Sequence, residues 1–146
     1  MSPKSLPELL AEVRAVYAEL ARRPIVRHCV ACAQCCQLQL TGLIPYLTKG
    51  EAMLAARAFR ATGRKELPET RDGICPLLNR ATGRCLIYAD RPIACRTHFC
   101  EAAGGPYARK DVLDLIRRLE DVDVRLHGDG PRKISAAVAD ALAELC

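Results

Sequence analysis

Leu6, Leu9, Leu10, Val13, Val16, Tyr17 and Leu20 recur at three- and four-residue spacing. That is one apolar stripe on a helix of about 3.6 residues per turn. Ser5-Leu6-Pro7-Glu8 has the form of a capping box with Pro just inside the helix start. Arg22 and Arg23 suit the negative end of the helix dipole, and Pro24 stops the helix. A helix over 5–23 is predicted, and its stripe reads as core rather than as a partner-binding face. Leu38, Leu40, Leu43, Ile44 and Leu47 are expected to pack on whatever the preceding segment builds. Thr48-Lys49-Gly50-Glu51 is a second capping box, opening an Ala-rich helix to about Ala61 that Gly63 ends. Residues 64–73, with Pro68 and Gly73, read as a surface loop. Ile74 to Leu78 and Cys85 to Tyr88 flank Asn79 to Gly83, the pattern of a small hairpin. Asp90-Arg91-Pro92 resembles a helix start with Asp90 as cap. That helix would carry Cys95 and run toward His98.

Gly104-Gly105-Pro106 breaks the chain again. A helix over about Lys110 to Leu126 follows, with Val112, Ile116, Leu119 and Leu126 on one side, and Gly128 ends it. His127 sits where a cation favours a helix C-terminus. The last helix, about Pro131 to Leu145, uses Ile134, Val138, Ala141, Leu142 and Leu145. The fold expected is mainly α: a small helical domain around a cysteine-rich metal centre, with one short β-hairpin. One domain over 1–146 is expected, with a core at 28–100 between helices at 5–23 and 110–145. Ala-Thr-Gly-Arg occurs at 61–64 and 81–84, but the flanking sequences differ and no repeat is inferred.

Composition narrows the class. Only 4% of residues are aromatic and there is no Trp. The apolar content is mostly Ala, Leu, Val and Ile, which favours helices over a sandwich. The net charge of +5 comes from 22 basic and 17 acidic residues scattered without a long basic run. That is a solvated surface, and nucleic acid is not an expected partner. No apolar run approaches a membrane span, and the first ten residues lack the apolar core of a signal peptide. The expected location is the cytoplasm, where clustered thiols stay reduced and read as metal ligands.

Cys29, Cys32, Cys35 and Cys36 form the run Cys-x2-Cys-x2-Cys-Cys, and Cys75, Cys85, Cys95 and Cys100 follow. Free cysteines are often buried as small hydrophobes, but that does not account for this spacing. Thiolates are soft anionic donors suited to zinc, cuprous copper and iron–sulfur clusters. Closed zinc sites take four ligands as paired cysteines. An iron–sulfur cube takes three from one tight loop and a fourth from elsewhere. Cys29, Cys32 and Cys35 have that triplet spacing, and Cys75 is followed by Pro76, as in bacterial ferredoxins. Cys35 and Cys36 are adjacent, so their side chains diverge. One partition gives Cys29, Cys32, Cys35 and Cys75 to one site, and Cys36, Cys85, Cys95 and Cys100 to another. His28 and His98 are weaker candidates as ligands or hydrogen-bond donors. Arg91 and Arg96 lie close enough in sequence to balance thiolate charge. Cys146 reads as a bystander. No nucleophile elbow, phosphate loop or dinucleotide fingerprint is present, and no catalytic residue is assigned.

The constellation of Cys29-x2-Cys32-x2-Cys35-Cys36, Cys75-Pro76-Leu77 and Cys85 through Ile87-Tyr88, Arg91-Pro92 and Cys95-Arg96 resembles a known family. It is the CxxCxxCC family of zinc- or iron-chelating proteins, the YkgJ-like cysteine-cluster proteins. The resemblance covers about residues 28–100 and implies that all eight cysteines are candidate ligands. A related cysteine pattern occurs in flagellin lysine methylases that carry an iron–sulfur cluster. At 146 residues, room for a further large catalytic domain is not expected, and that activity is not carried over. An iron–sulfur cluster, [4Fe-4S] in type, is the first expectation, with a redox or protein-modifying role. A Zn2+-binding interaction module or metal carrier without catalysis is the second. No substrate or protein partner follows from either.

Overall fold

The computed structural model describes residues 4–24, 44–69, 74–98 and 106–145. Helix α1 spans Leu6–Arg22 from an N-cap at Ser5. The capping box forms: Ser5 N donates to Glu8 Oε2 at 2.7 Å, and Glu8 N donates to Ser5 Oγ at 3.4 Å. Six positions of the expected stripe, from Leu9 to Leu20, are buried, and Leu6 packs at their edge. The stripe is therefore core. Arg23 forks onto the Asp114 carboxylate and donates to the Asp111 carbonyl at 2.7 Å. It thus ties the end of α1 to the start of a later helix.

Helix α2, Lys49–Ala61, is the central element. Gly50 through Ala56 and Phe59 are all buried, because α2 packs against α1 on one side and the last two helices on the other. Its small residues let those neighbours approach closely. Gly50 is the tightest point: a Cβ there would lie 2.9 Å from both the Val13 Cγ2 and Val122 Cγ1 atoms. Helix α2 ends as expected near Gly63, which has φ +89.

Strands β2 (Leu78–Asn79) and β3 (Arg84–Cys85) form the expected hairpin, with Leu78 opposite Cys85. Strand β1, Tyr46–Leu47, pairs antiparallel with β4, Arg132–Lys133, far away in sequence. That second ladder departs from the single hairpin expected. Two-residue strands carry no readable period, and Arg132 and Lys133 are both exposed.

Asp90 does not cap a helix. It closes a 3-10 turn, Tyr88–Asp90, and the following one-turn helix α3, Ile93–Arg96, starts from Pro92. Pro92, at φ −66 and ψ 161, takes the extended N-cap geometry. His98 lies beyond the end of α3. A second 3-10 turn, Arg109–Asp111, leads into α4, Leu113–Arg125, which buries Leu115, Leu119 and Val122. Helix α4 stops through His127, not glycine, in the left-handed conformation (φ +59). Gly128 is needed for space instead: a Cβ there would meet Asp123 Oδ1 at 2.4 Å. The buried Asp123 carboxylate accepts Lys49 N at 2.7 Å and Gly130 N at 2.9 Å, fixing the 128–130 loop against the start of α2. Helix α5, Ile134–Glu144, completes the core with Ile134, Ala137, Val138, Ala141 and Leu142. The fold is mainly α, with two short antiparallel ladders among the described residues. Among them, no helix is long and apolar enough to cross a membrane.

Replacing glycine by alanine inside a helix ordinarily stabilises it by about 1 kcal/mol. At Gly50 the added methyl group meets two stiff β-branched side chains. Gly50→Ala is expected to reverse the sign and destabilise by about 1–3 kcal/mol through overpacking. A urea denaturation midpoint above that of the native chain would contradict the packing at this helix crossing.

Candidate metal centre

Three of the eight thiols, Cys75, Cys85 and Cys95, lie within the described residues. Cys29, Cys32, Cys35, Cys36 and Cys100 lie outside them, as do His28 and Cys146. Cys75 opens a turn in which Leu78 N donates to its carbonyl at 3.1 Å, and its side chain is buried in the main core. Cys85 sits half-buried on β3. Leu77 and Ile87, buried on either side of the hairpin, anchor both arms in the core. Leu86 N donates to Leu77 O at 2.8 Å, closing the hairpin base between the two cysteines.

Cys95 is half-buried on α3. A helix of one turn has no stability of its own, since nucleation costs more than one turn returns. Here it is held from outside at both ends. At its start, Ile93 N donates to Glu51 Oε2 at 2.7 Å. At its end, Arg96 folds back. Its Nε donates to Arg91 O and its Nη2 to Ala89 O, each at 2.6 Å, and its guanidinium lies 4.1 Å from the Tyr17 ring centroid. Thr97 closes the turn with N and Oγ1 both donating to Ile93 O, at 3.0 and 2.9 Å. Cys95 N itself donates to Pro92 O at 3.0 Å. The sequence suggested that Arg91 and Arg96 balance thiolate charge. In the structure Arg96 braces the turn through main-chain carbonyls and Tyr17, and Arg91 stacks on Tyr88 at 3.9 Å.

Glu51 is the residue the sequence reading did not assign to this region. It is fully buried, and both oxygens are occupied. Oε1 accepts Thr48 N at 3.3 Å and Thr48 Oγ1 at 3.0 Å. Oε2 accepts Tyr17 Oη at 3.0 Å as well as Ile93 N. Burial raises the Glu51 pKa, opposed by the hydrogen bonds from Ile93, Thr48 and Tyr17. Burial also pushes the Tyr17 phenol well up, with the Glu51 carboxylate adding to it, so Tyr17 remains a donor. The only hint in the sequence was the capping-box position of Glu51, which accounts for Oε1 alone.

Ile44, Thr97 and Tyr107 come together near α3. Tyr107 N donates to Thr97 O at 2.9 Å, so the stretch carrying Cys100 leaves and returns at one point. Ile44 lines a cleft of about 380 Å³ together with Ala94, Thr97 and Tyr107. Ile44 is 53% exposed, whereas Leu47 is buried. Leu38, Leu40 and Leu43 lie outside the described residues. His98, half-buried, follows directly on the braced turn.

Among the described residues, no group of three or more His, Cys, Asp and Glu side chains is placed to hold a metal ion. Cys75, Cys85 and Cys95 alone do not make a site. The chemistry of the donor set nevertheless fits a thiophilic metal. The cysteines are soft donors, and the buried carboxylate beside α3 is saturated by protein donors.

A family model described as "Putative zinc- or iron-chelating domain", CxxCxxCC, matches residues 28–114. The match takes in more than half of the chain and all eight cysteines, and the chain belongs to that family. It extends past Cys100 through Tyr107 to the first turn of α4, which includes the clamp between Thr97 and Tyr107. No curated protein and no solved structure matches the chain.

The Arg96 fork gives a direct check on the brace. Lysine is a point donor and cannot serve two carbonyls and a ring face together. Arg96→Lys is expected to cost about 1–2 kcal/mol through one lost hydrogen bond and the lost stacking. Thermal unfolding indistinguishable from that of the native chain would show that the fork is idle.

Proposed function

We propose that this protein holds an iron–sulfur cluster, [4Fe-4S] in type, through thiolates drawn from Cys29, Cys32, Cys35, Cys36, Cys75, Cys85, Cys95 and Cys100. The observation that carries the reading is that the zinc- or iron-chelating family match encloses all eight cysteines. The Cys29-Cys32-Cys35 triplet and the Cys75-Pro76 pair favour a cube. Cys75 is 5% exposed on a core-anchored turn, which suits a remote ligand shielded from water. Such a cluster supplies one-electron chemistry, and a redox or protein-modifying role follows from it. Cys35 and Cys36 diverge, so we assign Cys29, Cys32, Cys35 and Cys75 to one site and Cys36, Cys85, Cys95 and Cys100 to a second.

The second reading is Zn2+ held by the same cysteines in an interaction module or metal carrier without catalysis. It draws on the family description, which names zinc beside iron, and on thiolate chemistry that serves both metals.

Purification without oxygen, a visible spectrum, and counts of iron, sulfide and zinc per chain decide between them. Brown protein with iron and sulfide is expected. Colourless protein with stoichiometric zinc and no sulfide from anaerobic preparations selects the second reading. The grouping has its own check: Cys29→Ser and Cys36→Ser are expected to deplete different sites. Loss of the same single metal site from both variants overturns the partition.

A further inference from the structure

We infer that Glu51 is a positioning residue for Cys95, holding the α3 turn in its metal-binding geometry before any metal arrives. The inference rests on the metal reading above. Its basis is the division of labour between the two carboxylate oxygens. Oε1 serves α2 alone, through the N–H and hydroxyl of Thr48. Oε2 reaches across the core and joins Tyr17 of α1 to the first N–H of α3. A local cap needs only the first set.

Ile93 is the junction through which Glu51 acts. Its N–H is spent on Glu51, and its carbonyl receives both donors of Thr97. Cys95 lies between these two anchors, on a backbone whose next hydrogen bonds also stay inside the turn. Fixing Ile93 therefore constrains the backbone that sets the Cα position and Cα–Cβ direction of Cys95. Ligands held in place before binding forfeit less entropy on binding, and partners that orient metal ligands typically contribute about 10–100-fold in metal affinity.

Two substitutions separate the roles. Glu51→Gln keeps one acceptor. Its oxygen serves best facing the two donors Tyr17 and Ile93, with its amide turned to the Thr48 hydroxyl, which can accept, while the long Thr48 N–H bond is given up. Glu51→Met fills the same volume with no strong acceptor. Zn2+ is the probe, added to reduced, metal-free protein in competition with a chromophoric chelator, since thiolate sites of either kind take it. Glu51→Met is expected to bind Zn2+ about tenfold or more weakly, and Glu51→Gln within about threefold of the native chain. In the metal-free proteins, amide exchange at Cys95, Arg96 and Thr97 is expected to rise about tenfold in Glu51→Met, with exchange in α1 and in α2 beyond its first turn unchanged. Should Glu51→Met fail to fold, Ile93→Pro removes the donor N–H at a first helical position where proline is tolerated, and with it part of a buried side chain. It leaves the α2 cap whole and is expected to weaken Zn2+ binding likewise.

Native-like affinity in both acceptor-free and donor-free variants overturns the role of Glu51. A native chain that binds neither Zn2+ nor iron overturns the metal reading instead. The exchange rates then still decide the positioning role, and equal rates at residues 95–97 in the native chain and Glu51→Met sink it.

Discussion

A buried carboxylate that collects four hydrogen bonds from three separate parts of the chain is the constraint on which this structure turns. Glu51 caps the start of α2, binds the phenol of α1 and receives the first N–H of α3. Burying a carboxylate is expensive unless its oxygens are satisfied, and here each oxygen has two donors. Removing the acceptor strands several buried donors at once, each at a cost of about 1–3 kcal/mol. The interaction is therefore all-or-none, and it forms only when the α1–α2 packing and the α3 turn are both in place.

This arrangement splits the molecule into a scaffold and a set of carried turns. Helices α1, α2, α4 and α5 share one apolar core; among the described thiols, Cys75 is buried in it and Cys85 packs against it. Small zinc modules with little core often fold only when metal binds. Here the core holds the turns that carry Cys75, Cys85 and Cys95 by ordinary packing and hydrogen bonding. Cys75 and Cys85 ride on the hairpin that Leu77 and Ile87 pin to the core, and Cys95 rides on a turn braced by Glu51 and Arg96. Arg96 also serves structure. It lies on Tyr17 and donates to the carbonyls of Ala89 and Arg91, in and just after the 3-10 turn that precedes α3.

Local rules served well wherever local physics dominates. Both capping boxes, the proline at the start of α1, the core stripe of α1 and the hairpin were legible because each depends on residues a few positions apart. They failed where a distant partner decides. Asp90 has the chemistry of a cap, but Pro92 already holds the extended geometry, and the first N–H of α3 goes to Glu51 instead. Gly50 read as an ordinary helix residue until the Val13 and Val122 methyl groups came against it. Gly128 read as a helix stop, whereas His127 takes the left-handed conformation and Gly128 makes room for Asp123.

The sequence by itself determined the helical class, the capped helix starts, the apolar stripe of the first helix and the family to which the cysteine spacing belongs. Those follow from short-range periodicity and from donor chemistry, both of which are written along the chain. The tertiary structure alone decided that a cap residue of α2 also governs the turn carrying Cys95. It alone decided that β1 meets β4, and that Ile44, Thr97 and Tyr107 line one cleft. Hydrogen bonds between residues 34 and 42 positions apart leave no periodic trace, because their geometry exists only after the core has closed.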